Sequence, residues 1–190
     1  MMMSKLLPLT LVFSFALATP AIPLVVEGYK FPTQKIVSGK ELSLNGSGVR
    51  TVKLGPLPIK AYVATFYASE PLRSEKAVLA SPGPFQFDFK FLKGASDKQV
   101  IKAWTAQLEA SNTHSYDGFE ADKKKFISMF GALSKGWTQT IVIDGDETRA
   151  YENNKLKGSI EGRAFQKSFL SLWFGKKPVM PSLKKDLLGI

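Results

Sequence analysis

Arg50 is the residue of this chain best suited to bind an anion. It closes the run Gly48-Val49-Arg50 and precedes a two-strand stretch, Val52–Ala68, interrupted by Gly55-Pro56-Leu57-Pro58. It is one of four arginines beside 22 lysines. A guanidinium is a planar fork that offers two parallel N–H donors to a carboxylate, a geometry an ammonium lacks. Tyr62 and Tyr67 lie downstream on the same stretch, and Trp173 lies far beyond it. Taken alone, Arg50 fits two roles equally well, an anion clamp or the cationic half of a surface ion pair.

Other chemistries find little material. The chain has no cysteine and one histidine, His114. Thiol catalysis, cysteine metal sites and multi-histidine metal sites are therefore out of reach. His114 sits in the polar run Asn112-Thr113-His114-Ser115-Tyr116, and no Gly-x-Ser-x-Gly elbow accompanies it. No glycine-rich phosphate loop follows a strand. Asp144-Gly145-Asp146-Glu147 lacks the spaced ligands and distal glutamate of a calcium loop and reads as a hairpin turn. No metal and no cofactor is expected.

The elements that must position Arg50 are legible from periodicity. Val25–Phe31, Leu42 and Leu44 suggest short strands, with a turn at Leu44-Asn45-Gly46-Ser47-Gly48. Asn45-Gly46-Ser47 also has the form of a glycosylation acceptor. Strict alternation along Ile59–Ala68 would put Lys60, Tyr62, Ala64 and Phe66 on one face, and Ile59, Ala61, Val63, Thr65 and Tyr67 on the other. Both faces are largely apolar, as in a central covered strand. Phe85-Gln86-Phe87-Asp88-Phe89-Lys90-Phe91 alternates four aromatics with three polar residues, the pattern of a half-buried antiparallel strand.

Helical stripes follow. Val100, Ile101, Trp104 and Leu108 mark a helix opened by Ser96-Asp97, and Phe126, Ile127, Phe130 and Leu133 mark another over about Glu120–Ser134. Trp137–Ile143, Arg149–Glu152 and Lys155–Ile160 read as a meander of hairpins. Phe165, Phe169, Leu172 and Trp173 share one side of a helix over Arg163–Phe174, and Pro181 opens a last short helix. Strands followed by helices, then strands and helices again, indicate an α+β fold with an antiparallel sheet covered on one face by helices. Trp104, Trp137 and Trp173 read as packing residues.

At 190 residues, 44% hydrophobic and 22% charged, the chain can bury one ordinary core. Fourteen phenylalanines suggest large apolar walls. Met1–Lys5 is basic, Leu6–Ala18 is an uncharged apolar run, and Ala16-Leu17-Ala18 is a small-x-small cleavage pattern. This predicts a signal peptide over residues 1–18 and a folded domain over 24–190. The expected location is exported, periplasmic or secreted, or a plastid if the source is an alga or plant. The net charge of +10 is spread over lysines without a nucleic-acid-binding motif, so no nucleic acid is expected. In an exported protein it points instead to peripheral contact with an anionic membrane surface or to an anionic small ligand. The oligomeric state is not legible.

The ordered set of motifs resembles the chalcone isomerase-like family, in its exported bacterial-type branch. The resemblance rests on Gly48-Val49-Arg50 followed by Ile59-Lys60-Ala61-Tyr62-Val63-Ala64-Thr65-Phe66-Tyr67, then Asn154-x-x-x-Gly158-x-Ile160-x-Gly162. It continues through Phe165-x-x-x-Phe169-x-x-x-Trp173-x-Gly175-x-x-Pro178-Val179 and closes with Leu183-Lys184-x-x-Leu187-Leu188-Gly189. It implies an open-faced β-sandwich with a cleft between a large antiparallel sheet and its helices. True isomerases of this family close a chalcone's phenol onto its enone. They use the arginine matched by Arg50, a threonine twelve residues on, and a tyrosine and an asparagine from the helical region. Tyr62 stands where that threonine should be, and Tyr116 and Asn112 are wrongly spaced for the other two. The fatty-acid-binding branch instead holds a carboxylate with an arginine and a tyrosine, matched by Arg50 and Tyr62.

The resemblance thus implies binding of a fatty acid or similar lipophilic carboxylate. Arg50 and Tyr62 would hold the head, and Phe66, on the face of Tyr62, would line the cleft. Two other readings stay open. One is an isomerase or lyase acting on an unsaturated carbonyl compound, with Arg50 and Tyr62 as its catalytic pair. The other is an interaction protein with a vestigial cleft.

Overall fold

The computed structural model describes residues 22–110 and 116–190. The expected signal peptide, Asn112 and His114 lie outside the described residues. Among those described, nine strands and five helices occur. Strands β3 (Gln34–Val37), β4 (Lys40–Leu54), β5 (Leu57–Ala68), β6 (Phe85–Phe91), β7 (Thr138–Asp144), β8 (Glu147–Glu152) and β9 (Lys155–Glu161) form one antiparallel sheet in sequence order. Strands β1 (Leu24–Val26) and β2 (Tyr29–Phe31) form a separate hairpin. The helices are α1 (Glu75–Ala80), α2 (Asp97–Ala110), α3 (Phe119–Ser128), α4 (Arg163–Phe174) and α5 (Pro181–Leu188). This is the expected α+β architecture.

The alternation of β6 decides how the layers stack. Phe85, Phe87 and Phe89 turn toward the helices and are buried. Helix α4 lies over them with nine of its twelve residues buried, so it is the central element of that layer. Trp173 stacks on Phe89 at 5.0 Å between ring centroids, and Phe169 meets Phe87 edge-on at 5.9 Å. Such aromatic pairs add to the burial of area itself. The opposite face carries Gln86, Asp88 and Lys90. Asp88 accepts hydrogen bonds from Gln86 and Thr140 and pairs with Lys35. The β1–β2 hairpin covers part of this face, packing Phe31, Val26 and Tyr29 against Val63, Val49 and Leu92. Tyr67 is buried here in a second small cluster and donates to the Pro32 carbonyl at 2.9 Å.

Two local expectations are corrected. The turn expected at Leu44–Gly48 is instead the middle of the 15-residue strand β4. A register shift between Leu44 and Gly46 absorbs Asn45, whose amide turns into the structure. It donates to the carbonyls of Leu72 and Leu187 at 3.0 and 2.8 Å and accepts from the Leu72 N–H at 2.7 Å. Gly46 and Gly48 are needed because α5 crosses them closely. A Cβ on Gly46 would collide with the carbonyl oxygens of Asp186 and Leu187, and one on Gly48 would lie 2.6 Å from the Asp186 carboxylate. Helix α3 stops at Ser128 rather than near Ser134. Beyond it, Leu133 leaves the helical path to exchange two backbone hydrogen bonds with Ala95, at 2.8 and 2.9 Å.

Candidate functional site

Arg50 and Tyr62 are direct cross-strand partners on β4 and β5. Paired residues of an antiparallel ladder share a face, so both side chains point to the helix-covered side. One step further the register shifts: Arg50 pairs with Tyr62, but Thr51 pairs with Lys60. Ala61 is the extra residue of a β-bulge, and strict alternation fails there. Ile59 and Ala61, expected on the face opposite Tyr62, join it on the cleft side. Lys60, expected beside Tyr62, is turned to the other face, where it bonds Glu27 at 2.6 Å.

These residues open onto a cleft of about 470 Å³, within the usual size range of small-molecule sites. Val52, Ile59 and Ala61 form one wall, and Val100, Ala103 and Trp104 of α2 form the other. Phe89 and Phe91 lie on the sheet between them, and Ala95 and Leu133 close one end. The charged residues lining it are Arg50, Lys53 and Lys93, with no carboxylate among the lining residues. The site is therefore an apolar slot with a cationic bias.

Arg50 is half-buried, and its one hydrogen bond among the described residues goes to the Thr51 carbonyl at 3.3 Å. Among the described residues, no acid lies within ion-pair distance of it. Tyr62 packs edge-on against Phe89 and Phe91, at 5.3 and 5.8 Å, which orients its ring. Burial pushes the Tyr62 phenol above its ordinary pKa. The Arg50 charge and the nearby Trp173 and Arg50 N–H groups oppose that shift without cancelling it. The Trp173 indole N–H is buried and has no closer partner than the phenol among the described residues. The site thus presents a guanidinium and a protonated phenol close together, with the Trp173 indole behind the phenol. That set suits an anionic oxygen, whether a bound carboxylate or the oxyanion of a reacting carbonyl.

Phe66 is placed differently from expectation. It shares the face of Tyr62 but is wholly buried, between Phe87 at 4.7 Å and Phe174 at 5.0 Å. Helix α4 seals it from the cleft, so it supports the site from behind rather than lining it. Trp104, read from sequence as packing alone, is a wall residue. Its place in the apolar stripe of α2 was legible, but its neighbour across the cleft was not. Tyr116 donates to Asp122 at 2.6 Å and is not among the lining residues.

A wider groove, about 800 Å³, lies on the opposite face along Lys35, Asp88, Thr140 and Arg149. Its walls are more polar, and its Asp88 and Lys35 neutralise each other. Arg149 faces Asp144 and Glu147, both at 3.5 Å. Lys30 and Lys90 line the groove without an ion pair among the described residues, but they stand beside polar rather than apolar walls, and the Arg50 cleft is the better candidate.

A family model described as chalcone isomerase-like matches residues 24–189. No curated protein matches the sequence. Among solved structures, the fold is similar to that of a fatty-acid binding protein of Arabidopsis thaliana. The sequence identity is 17% and the TM-score 0.67, over 87% of this chain and 95% of that one. At that identity the likeness is one of fold.

Proposed function

Because the chain belongs to the chalcone isomerase-like family, we propose that it binds a fatty acid or similar lipophilic carboxylate without transforming it. The observation that carries this reading is the guanidinium of Arg50, free of any acidic partner among the described residues, at an apolar cleft with no carboxylate in its lining. A carboxylate would supply the missing counter-charge and accept two parallel bonds from Arg50 and one from Tyr62. An acyl tail along Phe89, Phe91 and Trp104 would contribute about 0.8 kcal/mol for each buried methylene. The fatty-acid binding protein of similar fold is consistent with a lipophilic ligand. The leader expected over residues 1–18 would place this binding in an exported compartment.

The test is native mass spectrometry of the purified chain, with extraction and identification of bound lipid. A co-purifying fatty acid lost in Arg50→Ala, with the fold intact by circular dichroism, supports the reading. A chain that is empty and ignores added fatty acids sinks it.

One observation favours a second reading, an isomerase or lyase acting on an unsaturated carbonyl compound. Tyr62 keeps its proton beyond the usual phenol range and sits beside a guanidinium that could polarise a carbonyl. Turnover of a chalcone by the wild-type chain and none by Tyr62→Phe would favour it over simple binding.

A further inference from the structure

We propose that the tip of the β4–β5 hairpin docks this protein on an anionic lipid bilayer, with the cleft opening toward the membrane. The two strands outrun the rest of the sheet. Strand β5 pairs with β6 only from Tyr62 onward, so residues 51–60 pair with each other alone and project past the sheet end. The projecting tip is apolar where it should be polar if it only met water. Leu57 is 65% exposed and Val52 38% exposed. Pro56 and Pro58 flank Leu57 and carry no N–H, so two donors that would lose water on entering a headgroup layer are absent.

The charge around the tip is mostly basic. From Leu42 to Ser69 the chain contains Arg50, Lys53 and Lys60 and no acid, and of the three only Lys60 has an ion pair among the described residues, with Glu27 of the β1–β2 turn. Lys53 and Lys93 stand exposed at the opening of the cleft, with no acid within ion-pair distance among the described residues. Lysines held at a bilayer surface are attracted by its anionic lipids, and apolar tips insert among the headgroups. Two exposed apolar side chains are too little for a stable protein interface, which buries on the order of 800 Å² per partner. They suit a bilayer, where electrostatics supplies the remainder. The lipid-binding reading of the cleft gives this docking its use: the wall that meets the membrane is the one that carries Arg50, so a lipophilic acid could pass from bilayer to cleft without crossing water.

The experiment is flotation of the purified chain with vesicles of phosphatidylcholine, alone or mixed with phosphatidylglycerol, for the wild type and Leu57→Glu. Leu57 is not among the cleft-lining residues, so the same variant can be assayed for fatty-acid binding in solution. The expected result is flotation with the phosphatidylglycerol vesicles, weakened by salt and reduced about tenfold or more in Leu57→Glu. Fatty-acid binding in solution should be unchanged in that variant. Wild type that does not float, or flotation unchanged by Leu57→Glu, overturns the proposal. So does a dimer without vesicle binding that Leu57→Glu dissociates, which would assign the tip to a second copy of the chain. Failure of the ligand reading would appear separately, as an empty protein in native mass spectrometry whatever the flotation result.

Discussion

Arg50 and Tyr62 face each other across the β4–β5 ladder at the last regular pair before the Ala61 bulge. The bulge is what makes the pair a site. It turns Ile59 and Ala61 inward beside Tyr62, so an apolar wall begins where the polar donors end. It also sends Lys60 to the opposite face, away from the anion position.

Substituting Arg50 by lysine keeps the charge and removes the fork. Affinity for a fatty acid should fall about tenfold or more, because a hydrogen bond to a charged group contributes about 1.5–3 kcal/mol. Thermal stability should hold, since the Arg50 side chain makes one hydrogen bond at 3.3 Å and no ion pair in the described residues. Isothermal titration and a melting curve on the same preparation check both halves. A full-affinity lysine variant would remove the case for bidentate binding.

Tyr62→Phe keeps the ring against Phe89 and Phe91 and deletes only the hydroxyl. A loss of about 1.5–3 kcal/mol in carboxylate affinity is expected, smaller than that for Arg50→Ala, which removes the charge as well as its bonds. A neutral analogue such as the corresponding alcohol should bind both proteins weakly and nearly alike. Comparing acid and alcohol separates a carboxylate contact from a change in cleft shape.

Alkaline pH should destabilise the fold. Tyr62 is raised chiefly by burial, and Tyr67 is raised by burial and by the nearby Asp88 charge. Tyr116 is raised by burial and by its bond to Asp122. A phenol that stays protonated in the folded chain while its unfolded counterpart ionises makes the unfolded state bind fewer protons. Stability therefore holds below a pH of about 10 and falls as pH rises above it. For the buried Tyr67 the slope approaches about 1.4 kcal/mol per pH unit. Melting temperature against pH, with phenolate absorbance read in parallel, should show three late-ionising tyrosines. Three tyrosines that titrate normally, with no alkaline loss, would contradict this.

Asn45 should be a stability determinant and a poor glycan acceptor. Its amide joins Leu72 to Leu187, and Arg73 closes the same junction through the carbonyls of Asn45 and Leu188 at 3.1 and 2.8 Å. Asn45→Ala strands three backbone groups and should cost about 3 kcal/mol, or about 10 °C in melting temperature. Expression in a glycosylating host should leave folded chains unmodified at Asn45, as read by intact mass. A fully glycosylated, normally stable chain would refute the buried clamp.

Much of the architecture was legible because it follows from backbone geometry. The aromatic alternation of Phe85–Phe91 names a half-buried strand and its inward face without reference to any other element. The stripe of Phe165, Phe169, Leu172 and Trp173 does the same for α4, and Arg50 stands out by residue type alone. What remained hidden depends on partners distant in sequence. Asn45-Gly46 has the composition of a turn, yet α5, about 140 residues away, needs it as a strand that a helix can approach. Phe66 is closed off by Phe174, and Trp104 is left open to the cleft across from Val52 and Ile59. Strict alternation misplaces Ile59, Lys60 and Ala61, because a bulge is a property of two paired strands and not of either one. Element types, the inward faces of the regular segments and the candidate anion clamp are written locally, in periodicity and residue chemistry, and could be read without the fold. The register at Ala61, the walls of the cleft and the lack of an acid beside Arg50 among the described residues came only with the tertiary fold, because each depends on which distant backbone comes to lie alongside.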